Sequence, residues 1–232
     1  MKKSLLHAIK ASFVILLVAT GLALTPGTSK AIPAVDFSST QNWGFGAHLT
    51  IGWGFSVSEQ LAVNQLGYYD YEQDGLVFDH DVGLFSASDK SLLTSGTVTS
   101  GDSLDGYFRY TNVASIVLNP GELYFIAGFD PEFCPGGENQ CGPIPDAHDR
   151  VANPPFADLV FAPQITFDGW QTETTASLQF NSYNPQTSPW ANSEGPLIVA
   201  NFKSTAVPEP ATFALLGLGL AGLGFARRKK TA

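Results

Sequence analysis

The sequence predicts an all-β protein: an antiparallel, jelly-roll-like β-sandwich with a signal helix before it and an apolar transmembrane helix after it. Short runs rich in β-branched and aromatic residues alternate with turn signals about every ten residues. No part of the body carries apolar residues at a convincing helical spacing. Basic residues flank an apolar run at each end of the chain, as they do in segments that enter a membrane.

Residues 1–31 have the order of a secretory signal peptide. Three lysines lie in the first ten residues, and the run 11–24 is apolar. Ser29 and Ala31 then place small residues where a signal peptidase requires them. We therefore expect the mature chain to begin near Ile32, and an uncleaved N-terminal anchor is the alternative.

Residues 32–206 are long enough for one domain with a sizeable core. Alternation places Ile51, Trp53 and Phe55 on one face of a strand, and we expect Trp53 to be a core residue. The run 123–129 is the most apolar and is expected to be central in its sheet. We predict strands within 42–58 and at 61–69, 76–85, 92–99, 107–110, 116–118, 123–129, 165–167, 176–180 and 197–202, with 204–207 as a linker.

Turns and one long loop separate these strands. Asn119-Pro-Gly121 has the residues of a type II turn, with proline second and glycine third. From about 130 to 158 the strand pattern gives way to proline, glycine and acidic residues. Cys134 and Cys141 lie in this loop and should form a disulfide in an oxidising compartment, where so short a loop adds at most about 2–3 kcal/mol.

Residues 207–232 have three parts in a fixed order. Pro208 and Pro210 cannot lie inside a helix, so Pro208, Glu209 and Pro210 form an extended entry. The 16 uncharged residues at 211–226 would span about 24 Å as a helix, somewhat short for a hydrocarbon core of about 30 Å. A basic cluster then ends the chain and would remain in the cytoplasm: Arg227, Arg228, Lys229 and Lys230.

This tail closely resembles the PEP-CTERM sorting signal of Gram-negative and cyanobacterial surface proteins. The resemblance implies that Pro208, Glu209 and Pro210 are recognised by exosortase, a membrane-embedded transpeptidase. The apolar helix would then anchor the protein only transiently, before delivery to the cell surface or the extracellular matrix. An ordinary C-terminal membrane anchor is the alternative.

A second resemblance covers the body from about residue 43 to 129 and the last strand. Its motifs, in order, are Gly54-Phe-Ser-Val57, Leu66-Gly-Tyr-Tyr-Asp70, Gly75-Leu76, His80-Asp-Val-Gly-Leu-Phe85, Leu118-Asn-Pro-Gly-Glu-Leu-Tyr124 and Asn201-Phe202. They resemble a bacterial extracellular β-sandwich module of unassigned activity that is common in PEP-CTERM proteins. The last motif departs from the pattern, because four residues separate Gly195-Pro196 from Asn201. Since the motifs are mostly turn and core residues, the resemblance implies a fold rather than an activity.

The charge of the body restricts its partners. Residues 32–207 hold four lysines and arginines against 20 aspartates and glutamates, a formal charge of −16. Such a surface repels nucleic acid and anionic membranes and attracts divalent cations. We therefore exclude nucleic-acid binding.

The segment from Asp70 to Asp81 is the best candidate for a metal site. Asp70, Glu72 and Asp74 take alternate positions, Gly75 follows, and Asp81 takes the twelfth position, which mimics the spacing of an EF-hand calcium loop. Alternate side chains of a tight loop can converge on one cation. No predicted helices flank the loop, so a solvated turn is the alternative.

Other candidate chemistry is sparse. His80 is expected at the surface of a sheet, with metal ligation or general-base catalysis as the alternative. Neither a nucleophile elbow nor a zinc-protease helix motif is present in the sequence, whereas acidic residues abound and leave a glycosidase carboxylate pair open. Trp170 and Trp190 lie in polar, turn-rich sequence and could stack on sugar rings.

These observations predict an exported, non-enzymatic protein. We expect a structural or adhesive association with extracellular polysaccharide, which is what the resemblance implies. A lectin-like or glycosidase-type enzyme acting on that polymer is the first alternative. A calcium-dependent adhesin or assembly subunit is the second, and calcium is the one cofactor that the sequence suggests.

Overall fold

The computed structural model of the chain describes residues 30–38, 41–43, 48–131, 151–180 and 196–207. These residues form 14 strands and a 3₁₀ turn at Phe156–Asp158, with no α-helix among them. The strands are β1 (Ile32–Pro33), β2 (Val35–Phe37), β3 (Gln41–Trp43), β4 (Leu49–Val57), β5 (Leu61–Tyr69), β6 (His80–Ser86), β7 (Leu92–Val98), β8 (Ser103–Asp105), β9 (Phe108–Leu118), β10 (Leu123–Asp130), β11 (Val151–Asn153), β12 (Leu159–Phe161), β13 (Ile165–Thr174) and β14 (Ala200–Ala206).

Two five-stranded antiparallel sheets make up most of the fold. The first has the order β1-β14-β5-β9-β8, and the second has the order β13-β4-β10-β6-β7. Two short ribbons, β11 with β3 and β12 with β2, accompany them. The expected all-β sandwich is confirmed, while the jelly-roll detail stays a prediction.

The core lies between the two sheets and is rich in aromatic rings. Trp53, at 0% exposure, stacks on Phe202 of the opposite sheet with ring centroids 6.2 Å apart. Its indole Nε1 donates a hydrogen bond of 2.8 Å to the carbonyl of Ala200, so the tryptophan fills the core and satisfies its own polar atom. The alternation of Ile51, Trp53 and Phe55 therefore marks an inward face, as predicted.

Several strands end where their sequence pattern ends. The predicted strand 61–69 is β5 without change, and β10 is the middle strand of its sheet, as expected from its apolar sequence. Gly121 has a φ of 83°, which suits the third position of the predicted type II turn.

Other predicted boundaries are wrong. The strand expected at 76–85 begins only at His80, because the preceding residues continue the loop after Asp70. The runs 107–110 and 116–118 belong to one bulged strand, β9, and the strand expected at 165–167 continues to Thr174. Residues 176–178 form bends and residues 179–180 belong to no strand. Part of the long loop, β11, pairs with β3.

The predicted linker at 204–207 is also wrong. Ser204 to Ala206 pair with the start of β5, and the backbone N–H of Val207 donates to the carbonyl of Gln60 at 3.1 Å. Ser204 and Thr205 are small polar residues, so this end of the strand has no apolar pattern in the sequence.

Residues Ala31–Val207 form one compact unit. Within the described ranges no helix has the length and apolar character that a membrane crossing needs. The predicted signal helix at 1–31 lies, apart from its last two residues, outside the described residues, and the predicted helix at 211–226 lies wholly outside them.

Candidate functional site

A buried ion pair organises the loop that follows β5. Asp70 is 1% exposed, and its Oδ2 atom accepts a hydrogen bond of 2.6 Å from Nε of Arg109 on β9. The same oxygen accepts the backbone N–H of Gly75 at 3.2 Å. Arg109 also donates to the carbonyls of Asp102 and Gln73, at 2.9 and 3.5 Å. One guanidinium therefore holds two loops against the end of the sheet.

The predicted calcium loop does not gather its ligands. Asp81 points outward on β6 and accepts a hydrogen bond of 2.7 Å from Thr97, while Glu72 and Asp74 are exposed to solvent. Across the described residues no group of three or more His, Cys, Asp or Glu could hold a metal ion. Asp70 turns into the protein to pair with Arg109, away from the exposed carboxylates, and the calcium site stays a prediction.

His80 lies in the core and not at the sheet surface where we expected it. Its ring is 0% exposed and stacks on Tyr68 of the opposite sheet, with centroids 3.7 Å apart and planes within 7°. Its Nδ1 atom lies 3.0 Å from the carbonyl of Phe129 on the neighbouring strand. These contacts give the histidine a structural role that bridges the two sheets.

Trp170 does not provide an exposed platform. It lies opposite Trp53 in the pairing of β13 with β4, and cross-strand partners share a face, so its ring points towards the core. Only 3% of the side chain is exposed, which leaves neither ring face open to a sugar. Trp190 lies outside the described residues, so its stacking role stays a prediction.

Tyr124 closes the turn that the motif from Leu118 to Tyr124 encodes. Its hydroxyl accepts the backbone N–H of Asn119 at 2.8 Å and donates to the carboxylate of Glu122 at 2.7 Å. Burial, together with the hydrogen bond to Glu122, raises the pKa of Tyr124 to about 12. The residue spacing of the motif from Leu118 to Tyr124 therefore encodes a turn that the hydroxyl of Tyr124 stabilises.

Asn201 has the same kind of role at the other end of the domain. It is 0% exposed, its Nδ2 donates to the carbonyl of Val35 at 2.7 Å, and its Oδ1 accepts the N–H of Val35 at 3.2 Å. The oxygen also accepts the N–H of Phe202 at 2.8 Å. The side chain thus pairs β2 with β14 in place of a backbone ladder.

The structure reveals a polar surface that the sequence reasoning missed, on the outward face of β13. Gln171 and Glu173 alternate with Trp170 and Thr172, and their side chains lie beside Thr50 on the outside of the sheet. Nε2 of Gln171 donates to Oε1 of Glu173 at 2.6 Å. Because Trp170 points inward, the alternation of side chains along a strand places Gln171 and Glu173 on the outward face.

The sheet leads directly into the C-terminal tail. After β14 ends at Ala206, Val207 alone precedes Pro208. Residues 206–230 match the PEP-CTERM protein-sorting motif. The chain carries a PEP-CTERM sorting signal. A search of curated proteins finds no match to this chain.

The sorting motif identifies the protein as one that is exported, processed by exosortase and sorted to the cell surface. Pro208, Glu209 and Pro210 occupy the triplet of the matched segment, and the basic cluster from Arg227 to Lys230 ends it. These residues lie outside the described ones, as do Cys134 and Cys141. Their predicted roles, including the disulfide, stay predictions.

Proposed function

We propose that this protein, once exported, associates with extracellular polysaccharide in a structural or adhesive role and catalyses no reaction. The observation that carries the proposal is a sorting motif joined directly to a β-sandwich whose buried polar motif residues hold the fold together. Asp70, His80, Tyr124 and Asn201 each hydrogen-bond to backbone groups of the protein itself. A domain of this kind supports a role as a surface scaffold.

The charge of the domain favours a neutral polymer over nucleic acid or anionic lipid as its partner. A formal charge of −16 on residues 32–207 disfavours nucleic acid and anionic lipid, whereas neutral hydroxyl-rich polymers carry no charge to repel. Polysaccharide is also a major polymer at the surface to which such a protein is delivered.

Affinity electrophoresis tests the proposal. The exported protein is run through native gels that contain the exopolysaccharide of its host, once with calcium and once with a chelator. We expect retardation in both conditions, because the carboxylates of the loop after β5 are not gathered around a cation. Equal migration with and without polymer would refute the association, and release of new reducing ends from the polymer would refute the non-catalytic role.

A second experiment tests the processing step. Replacing Pro208, Glu209 and Pro210 by alanine should leave the protein in the membrane fraction, since the triplet is the recognition element of the sorting motif. Glu59→Ala, which removes an exposed carboxylate at the β4–β5 turn, is the matched control and should be sorted normally. Normal release of the triple variant would contradict processing by exosortase.

A further inference from the structure

The chain leaves the sandwich at a point that hydrogen bonds fix. Ala206, the last residue of β14, pairs with Leu61, the first residue of β5. The backbone N–H of Val207 donates to the carbonyl of Gln60 at 3.1 Å, so the ladder continues one residue beyond the strand. Pro208, the first residue of the sorting triplet, comes next in the sequence. The folded domain and the triplet are therefore directly continuous.

This continuity limits how far the sorting enzyme can be from the domain. A chain spans at most about 3.6 Å per residue, so the whole triplet lies within about 11 Å of chain from the Cα atom of Val207. Exosortase is a membrane protein that acts at the sorting motif. While it holds the triplet, its surface is within this short reach of the end of the sandwich that bears Val207.

A row of uncharged side chains lies on the outer face of the first sheet beside this exit point. Ala62 on β5 is the Cα partner of Val117 on β9 and of Thr205 on β14, so the three residues lie side by side. Their neighbours Leu61 and Leu118 are 2% and 0% exposed in the core, and side chains alternate along a strand, so the row points outward. We call Val117, Ala62 and Thr205 the exit row.

The exit row has the properties of a contact surface. Val117 is 49% exposed, although most large apolar side chains of the described domain are buried. None of the three residues is charged, in a domain whose residues 32–207 carry a formal charge of −16. Acidic groups would be repelled by anionic lipid around a membrane enzyme, whereas small uncharged side chains lose little when they are desolvated. The row therefore suits a neutral, apolar partner surface close to a membrane.

We infer that the exit row is a docking surface for exosortase, so that the enzyme contacts the folded domain as well as the sorting triplet. The inference rests on the sorting motif and does not depend on the association with polysaccharide. A short tether makes the second contact intramolecular, with an effective concentration in the millimolar range, so a weak contact is enough to strengthen the binding of the triplet. The triplet decides whether the protein is processed, and the exit row raises the rate.

A carboxylate placed in the exit row tests the contact. Val117→Asp and Thr205→Asp are each expressed in the exporting host, and pulse–chase labelling follows the conversion of the membrane-bound precursor to the processed protein. Each change should slow the initial rate of processing about tenfold, because the new carboxylate has to be desolvated in an apolar contact. Processing of both variants at the rate of the wild type would overturn the docking surface.

Matched substitutions control for the added charge and for folding. Val160→Asp places the same carboxylate at a valine that is 64% exposed on β12, outside the exit row, and should be processed as the wild type is. Glu59→Ala, on the turn before β5, leaves the row unchanged and should also be processed normally. Thermal unfolding checks that each variant folds, and Thr205→Asp provides the test if Val117→Asp does not fold.

A linker separates a lost contact from a defect in export. A Gly/Ser segment of about 20 residues between Val207 and Pro208, with an r.m.s. length of about 25 Å, frees the enzyme-bound triplet from the domain. With this linker, the wild-type row and Val117→Asp should be processed at the same rate. A deficit of Val117→Asp that persists with the linker would show a defect in export or folding and would overturn the inference. Normal release of the protein without its triplet would remove exosortase as the partner, and the inference would fall with it.

Discussion

Two ion pairs in this domain have the same length and different burial. Together they test whether burial governs how much an ion pair contributes to the free energy of unfolding. Nε of Arg109 lies 2.6 Å from Oδ2 of Asp70, and Nζ of Lys203 lies 2.6 Å from Oδ2 of Asp105. Asp70 is 1% exposed, whereas Asp105 is 55% exposed. The distance is matched and each cation is 13% exposed, so replacing each aspartate by asparagine compares the burial of the two carboxylates, together with the hydrogen bond that Asp70 also accepts from Gly75.

We expect Asp70→Asn to lower the free energy of unfolding by about 3 kcal/mol and Asp105→Asn by less than about 1 kcal/mol. Removing one partner of a buried pair leaves the other charge uncompensated, which costs about 3–5 kcal/mol. Arg109 is 13% exposed and keeps its bond to the carbonyl of Asp102, so the lower end applies. For a domain of this size the Asp70 change corresponds to a fall in Tm of about 6–12 °C.

Urea and thermal unfolding of the exported protein provide the measurement. The m-value should stay constant across the variants, which shows that stability and not the extent of unfolding has changed. Equal losses for Asp70→Asn and Asp105→Asn would refute the argument from burial. Millimolar calcium should leave the Tm of the wild type unchanged, and a calcium-dependent rise that Asp70→Asn abolishes would restore the metal loop.

Three further changes probe the polar and packing contacts. Asn201→Ala should cost about 2–4 kcal/mol in urea unfolding, because it leaves the N–H and C=O of buried Val35 without their bonds. The free energy of unfolding should fall as pH rises from about 10 to 12, because Tyr124 ionises near pH 10 in the unfolded chain and has a pKa of about 12 in the folded protein. Tyr124→Phe should reduce this pH dependence in thermal unfolding at alkaline pH. Gly67→Ala should cost about 1–3 kcal/mol in the same urea assay, because its Cβ would lie 2.6 Å from the ring of Tyr110.

Some elements of the fold can be predicted from the sequence because one buried face sets a period of two. Trp53 alternates with Ile51 and Phe55 in the core. Residues 61–69 form β5, although a bulge between Val63 and Gln65 shifts the alternation there, so that Val63 and Leu66 are both buried. The continuous apolar sequence of β10 fits its central place, because this strand is buried along nearly its whole length.

Residues that are distant in sequence determine the features that the local pattern does not predict. His80 is polar and looks like a surface residue until Tyr68 and the carbonyl of Phe129 are brought to it. Asp70 has the sequence setting of a cation ligand, and only the fold supplies Arg109 from 39 positions along the chain. Trp170 lies in a polar stretch, yet its cross-strand neighbour determines which way it points. A local pattern carries no information about such pairs.

Buried polar side chains fix the fold of this domain. Asp70, Tyr124 and Asn201 each fix a segment outside the regular ladder to the sandwich, and changing them alters stability first. Gln171 and Glu173 lie instead on the outward face of β13. A replacement there leaves the inward face of β13 intact, so we expect it to cost less stability than a change at the buried residues.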